Sequence, residues 1–336
     1  MSTIRFIDSK KLSEMKFSLT WVWIVALGIA LGCKKEGNGP HVAQCALPDY
    51  KAVSQGDFGR PCGIAVSKSG MVAVNAYNGF GEYGGAYGIL GKTRVWRNYS
   101  DFLTKAAPVA EWDNRGAEAL AFDSDDNLYV AETEQVAGIA VYRKQVFTIS
   151  GRPDVVTYHY VKTIQGGFVN PRGLAFDSQD RLYIANDGVG NIIRMNSPLT
   201  SDVKQPIASG FGNVKGLAIY QDTLYTTTFG EDVVMKHTLN GDGSYGTILG
   251  IARGIANPVD IAVTDGVLVI SSPVSGIVTL LNPQGFNGPS VSYNDCVKEI
   301  AVGRNLFGLA FVPTPSNGVG LLAAHLDQNK VIFYQP

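Results

Sequence analysis

The chain has 336 residues, with 28 Lys and Arg against 29 Asp and Glu, 45% hydrophobic residues, 39 glycines and four histidines. Nearly balanced charge excludes the basic footprint of a nucleic-acid binder, and this apolar content excludes a disordered chain. Abundant Gly, Tyr and Phe suit many short strands joined by tight turns, and so few histidines leave little scope for imidazole chemistry.

The first element in the chain is a targeting segment. "MKFSLTWVWIVALGIALGC" runs from Met15 to Cys33, with Lys16 ahead of an apolar stretch from Phe17 to Leu31. That stretch is shorter than the roughly 20 residues a spanning helix needs. It resembles a bacterial lipoprotein signal, whose cysteine is acylated and becomes the mature N-terminus; Ala30 stands where that family prefers Leu. The resemblance implies a signal peptide over residues 1–33, acylation at Cys33 and a polar tether over 34–47 beginning "KKEGNGP". An ordinary signal peptide or an N-terminal anchor is the alternative. Met1 to Glu14 is a long mixed-charge leader, which makes Met15 a candidate start. The expected address is the bacterial cell envelope, periplasmic or surface-exposed, with the membrane reached through the lipid anchor only.

From residue 48 onward the chain repeats itself. "CGIAV" at Gly63, "EALAF" at Ala119, "RGLAF" at Gly173, "KGLAI" at Gly216, "VDIAV" at Asp260 and "FGLAF" at Gly308 are six copies of one phrase, 56, 54, 43, 44 and 48 residues apart. A second apolar run follows each copy, as in "RLYIAN"; a third and a fourth usually come before the next. Four strands at this period point to an all-β fold: a six-bladed β-propeller of four-stranded antiparallel blades over residues 48–336. A two-sheet sandwich would not explain the recurrence. "NPRGLAFDSQDRLYIANDGVGNIIRM" resembles an NHL-type repeat, and "NPVDIAVTDGVLVISS" departs from it most, with Asp260 in the glycine column.

The last copy has three strands before Pro336, which would leave an open edge. "DYKAVSQGDFGRPCGIAV" has the layout of "VKTIQGGFVNPRGLAF", so Asp49 to Ser54 is expected to supply the fourth strand of blade six and close the ring. Cys45 precedes that strand and Cys296 begins the outer strand of blade five, on the same rim. A Cys45–Cys296 disulfide is therefore expected, with Cys62 free and with three reduced cysteines as the alternative. Closing so long a loop could contribute about 4 kcal/mol.

Two insertions interrupt the pattern. "NGFGEYGGAYGILGK" (Asn78–Lys92) in blade one carries six glycines with Tyr83 and Tyr87, and reads as a binding loop or as a hairpin packed on the blade. "KQVFTISGRPDVVTYHYVKT" in blade two reads as a long outer hairpin with a structural role.

In a propeller, the segments leading into the inner strands and those following the second strands share one face. This places Glu118, Arg172 and Lys215 at adjacent openings, and brings Asn75, Asn186, Asp187 and His325 to the same mouth. The expected ligand contact is Glu118, Arg172, Lys215, Asn186 and Asp187, covered by Tyr83 or Tyr87, with Arg172 suited to a carboxylate or carbonyl. The expected function is non-catalytic binding of a protein, peptide or glycan, without nucleic acid and without a cofactor. The alternative comes from a likeness to gluconolactonase-like and paraoxonase-like hydrolases, in which Glu118 would hold one divalent cation, calcium by its oxygen ligands, in the axial channel. A streptogramin-lyase-like site would rest on His325.

Overall fold

The computed structural model describes residues 47–48, 50–77, 90–133, 137–264, 267–282, 297–313 and 318–336, all within the compact unit Cys45–Pro336. Cys33, Cys45, Cys296, Tyr83 and Tyr87 lie outside the described residues.

Strand β1 (Lys51–Asp57) comes first, and blades then follow in chain order. Blade one holds β2 (Pro61–Val66), β3 (Val72–Ala76), β4 (Gly91–Trp96) and β5 (Ala110–Asn114). Blade two holds β6 (Ala117–Phe122), β7 (Leu128–Glu132), β8 (Gly138–Phe147) and β9 (Val155–Gln165). Blade three holds β10 (Pro171–Phe176), β11 (Leu182–Asn186), β12 (Asn191–Met195) and β13 (Gln205–Ser209). Blade four holds β14 (Val214–Tyr220), β15 (Thr223–Thr228), β16 (Val233–Leu239) and β17 (Tyr245–Arg253). Blade five holds β18 (Ile261–Thr264), β19 (Val267–Ser272), β20 (Ile277–Leu281) and β21 (Val297–Ala301). Blade six holds β22 (Leu306–Pro313), β23 (Val319–His325) and β24 (Lys330–Gln335), and its fourth strand is β1. All pairings are antiparallel, and the protein is an all-β, six-bladed propeller.

Closure follows the expected route. β1 pairs with β24 from Lys51 opposite Gln335 to Asp57 opposite Lys330, slightly later in the chain than Asp49–Ser54. Tyr50 is buried and its hydroxyl donates to the Val319 carbonyl at 3.0 Å.

Each blade–blade junction holds one apolar cluster, including the junction of blade six with blade one, where Val331 and Phe333 meet Val72, Val74 and Trp96. Middle strands are therefore buried on both faces, which is why "LYIAN" and "NIIRM" read as continuous apolar runs. Outer strands alternate, as in the half-exposed β5.

The repeated phrase has a mechanical meaning. The inner strands β2, β10, β14 and β22 bulge at their opening residues, which frees a backbone N–H from the ladder. A polar residue late in the second strand accepts it: Thr227 Oγ1 from Gly216 N at 2.8 Å, and Asn75 Oδ1 from Gly63 N. Inner-strand glycines are required by close approach, because a β-carbon on Gly173 would collide with the Lys215 carbonyl and one on Gly308 with that of Cys62. The "DSDD" and "DSQD" turns on the opposite face clip neighbouring blades: Ser69 Oγ donates to Asp126 Oδ2 at 2.6 Å, and Ser124 N to Asp180 Oδ1 at 2.9 Å. Among the described residues, a helix, α1 (Tyr99–Leu103), interrupts the strands between β4 and β5, capped by Asn98 and seated by buried Phe102.

Candidate functional site

The six inner strands converge on an axial cavity of about 100 Å3, lined by three residues from the opening of each strand. That space holds a few water molecules, whereas sites for drug-sized ligands run to roughly 300–1,000 Å3. The cavity itself is thus sized for water or an ion rather than for a drug-sized ligand.

The mouth centre is a chain of alternating charges. Arg172 Nη1 pairs with Glu118 Oε2, Arg172 Nε lies 3.1 Å from Asp187 Oδ2, and Lys215 Nζ donates to the same oxygen at 2.7 Å. Glu118 is on β6, Arg172 on β10, Lys215 on β14, and Asp187 directly follows β11. The four side chains are 6–11% exposed. Lys215 Nζ also sits 5.4 Å from the centre of the Phe229 ring, a cation–π contact. Asp187 Oδ1 is buried and has no hydrogen-bond partner among the described residues.

Asn186 is in a different position from the one its sequence context suggests. It is the last residue of β11, fully buried, and its amide donates to the Gly167 carbonyl and Asn191 Oδ1 while accepting from Val169 N at 2.7 Å. It braces the segments beside Asp187 rather than facing a ligand. Asn75 and His325 are likewise second-strand residues that are fully buried, so His325 offers nothing to a lyase-type site. Cys62 is free and buried at the mouth, where burial and the nearby Glu118 push its thiol up. Tyr77 and Gly91, which flank the Gly/Tyr insertion, sit at this end of blade one, with Tyr77 N bonded to the Arg60 carbonyl.

Asp260 lines the same cavity, and the sequence marked it only as an oddity. It occupies the glycine column of blade five and accepts from Leu309 N of the next blade at 2.7 Å. Burial pushes its carboxyl up to about 7. The signal was a charged residue in a column that otherwise holds Gly or Ala.

Buried ionisable groups give the fold a pH dependence. Burial lowers His237 and His325 to about 4, below the ordinary value near 6.5. Between pH 6.5 and 4 the unfolded chain binds two protons that the native one does not, so stability is lost as pH falls. Asp260 opposes this, because its native carboxyl holds a proton that the unfolded one releases. Asp123 and Glu132, whose carboxyls burial also raises, act in the same sense as Asp260 and offset part of the histidines' loss on acidification. Urea titrations between pH 4.5 and 6.5 measure the balance, and Asp260→Asn is expected to steepen the loss toward acid; a pH slope unchanged by Asp260→Asn would refute the assignment.

Among the described residues, no group of three or more His, Cys, Asp or Glu side chains could hold a metal ion. One oxygen of Glu118 and one of Asp187 face cationic nitrogens.

These features define a class, the six-bladed β-propeller with a charged axial mouth. No family model matches the chain, and no curated protein matches it. Among solved structures, it is similar to a structural-genomics protein of unknown function from Bacteroides thetaiotaomicron, at 14% identity over 85% of this chain and 72% of that one, with a TM-score of 0.57. A putative gluconolactonase is similar at 11% identity over 88% and 95%, with a TM-score of 0.56. A chain of the nidogen/laminin complex is similar at 15% identity over 73% and 86%, with a TM-score of 0.50. At these identities the likeness shows the propeller fold alone, a fold that serves both ligand binding and catalysis.

Proposed function

We propose that this protein is an extracytoplasmic, lipid-anchored propeller of the NHL-repeat type that binds a protein, peptide or glycan at its axial mouth and performs no chemistry on it. The observation that carries this reading is the pairing of Glu118, Arg172, Asp187 and Lys215 with one another. A divalent cation needs those oxygens, and two side-chain cations already occupy them. Asp187 Oδ1 is buried with no hydrogen-bond partner among the described residues, and in this reading it accepts a ligand N–H or O–H. Exposed Val169 and Val189 flank it on the mouth face and add apolar contact area. Tyr83 and Tyr87 complete the contact in this reading. Acylation at Cys33, the 34–47 tether, a Cys45–Cys296 bridge and a periplasmic or surface address belong to the same proposal, and peptide mapping without reduction tests the bridge.

The test is binding of the chain beginning at Lys34 to peptide and glycan arrays. That chain keeps every strand and core residue described above. The expected result is a ligand whose affinity falls roughly tenfold or more in Val189→Asp, with no hydrolysis of an aliphatic lactone in the presence of calcium. Calcium-dependent lactone turnover that Glu118→Gln abolishes would overturn the reading in favour of the hydrolase.

A further inference from the structure

The outer hairpin of blade two is built differently from every other described outer strand pair. Its regular part ends where Leu128 pairs with Tyr142, the level at which the first and second strands of the blade turn. β8 and β9 continue to Phe147 opposite Val155. Five further residues, Arg143–Phe147, thus extend about 17 Å beyond the face opposite the mouth. The base of this arm is fixed: Trp112 stacks on Tyr142 at 4.1 Å, Tyr158 donates to the Asp126 carbonyl at 2.9 Å, and Lys144 pairs with Asp126. The tip is apolar and open, with Val146 49%, Phe147 49%, Ile149 46% and Val155 43% exposed. A hairpin that served only to cover the blade would bury these side chains.

The charges around the tip have one sign in excess. Arg97, Arg143 and Arg152 are exposed there against exposed Asp154, whose carbonyl receives Arg97 Nη2, and exposed Asp125 in the turn at the base of the arm. An apolar tip ringed by arginines has the chemistry of an element seated at an anionic lipid surface, with side chains in the acyl boundary and guanidinium groups at the headgroups. Half-buried Phe122 and Phe176 end their inner strands around the axis on this same face, and half-buried Phe311 lies in β22 beside them. The described chain also begins there, since Leu47 and Tyr50 precede the strand end that pairs with Gln335. We infer that the β8–β9 tip is a membrane-contact element for anionic lipid, holding this face toward the bilayer and the ligand mouth away from it. Its alignment with a lipid anchor rests on the acylation reading of Cys33; the contact itself does not.

The experiment is co-sedimentation of the unacylated chain beginning at Lys34 with vesicles of phosphatidylglycerol and phosphatidylethanolamine, and with vesicles of phosphatidylcholine alone. The parent is expected to bind the anionic vesicles. The Val146→Ser/Phe147→Ser/Ile149→Ser variant is expected to lose binding roughly tenfold or more. Arg143→Gln/Arg152→Gln is expected to weaken it in a salt-dependent manner. These side chains are exposed, so both variants should melt like the parent. No vesicle binding by the parent, or equal binding by the triple variant, overturns the inference. So does a tip-dependent dimer in sedimentation velocity without vesicle binding, which would make the tip a contact between copies. Because the protein is unacylated, none of these failures touches the mouth or Cys33.

Discussion

Deletion of Pro48–Gln55 is expected to remove on the order of 5 kcal/mol of stability. The segment supplies most of β1, whose ladder to β24 is the backbone closure of the ring. It also carries Tyr50, which is buried between blades five and six and bonded to Val319. Hydrogen bonds at about 1 kcal/mol each, plus about 2 kcal/mol for the tyrosine, give that sum. The loss exceeds the count of contacts in kind, because it exposes β24 as an open edge able to pair with other chains. A thermal melt of the deletion variant should fall by roughly 10 °C or more and end in aggregation. A melt that coincides with the parent's would show that the closure lies elsewhere.

Asp187→Ala is expected to destabilise by about 3–5 kcal/mol, although it removes only a short side chain. Asp187 Oδ2 is shared by Arg172 and Lys215, and the Lys215 side chain is 7% exposed. Taking the carboxylate away leaves an ammonium desolvated without its counterion. Replacing both, as Asp187→Ala with Lys215→Met, is expected to recover much of the loss, because burying neither charge avoids the penalty. Urea unfolding of the four members of the cycle measures the coupling. If the two single effects simply add, the side chains are not coupled and the network has no structural role. This pairing also means that an Arg172→Ala/Lys215→Ala variant would weaken the fold along with binding.

Blade number and closure are legible in the sequence because each inner strand must pass the axis against its neighbour's backbone. That constraint puts Gly63, Gly173, Gly216 and Gly308 in one column. The adjacency of Glu118, Arg172 and Lys215 follows from the same register. The destination of their charges does not, since it depends on how Asp187 leaves β11 and meets two blades at once. Asn186 misleads for a related reason. A polar residue after an apolar run suggests a loop, whereas here it satisfies backbone groups inside the blade. The same explanation covers Asn75 and Thr227. The apolar hairpin tip is illegible because alternation in "KQVFTIS" states a strand but not whether another layer covers it.

The central claim is that the mouth charges neutralise one another and leave a binding surface rather than a metal centre. Calorimetric titration of calcium into the chain beginning at Lys34 tests it most directly. The account expects no heat beyond dilution, for the parent and for Glu118→Gln alike. A single saturable calcium site in the parent that disappears in Glu118→Gln would contradict it.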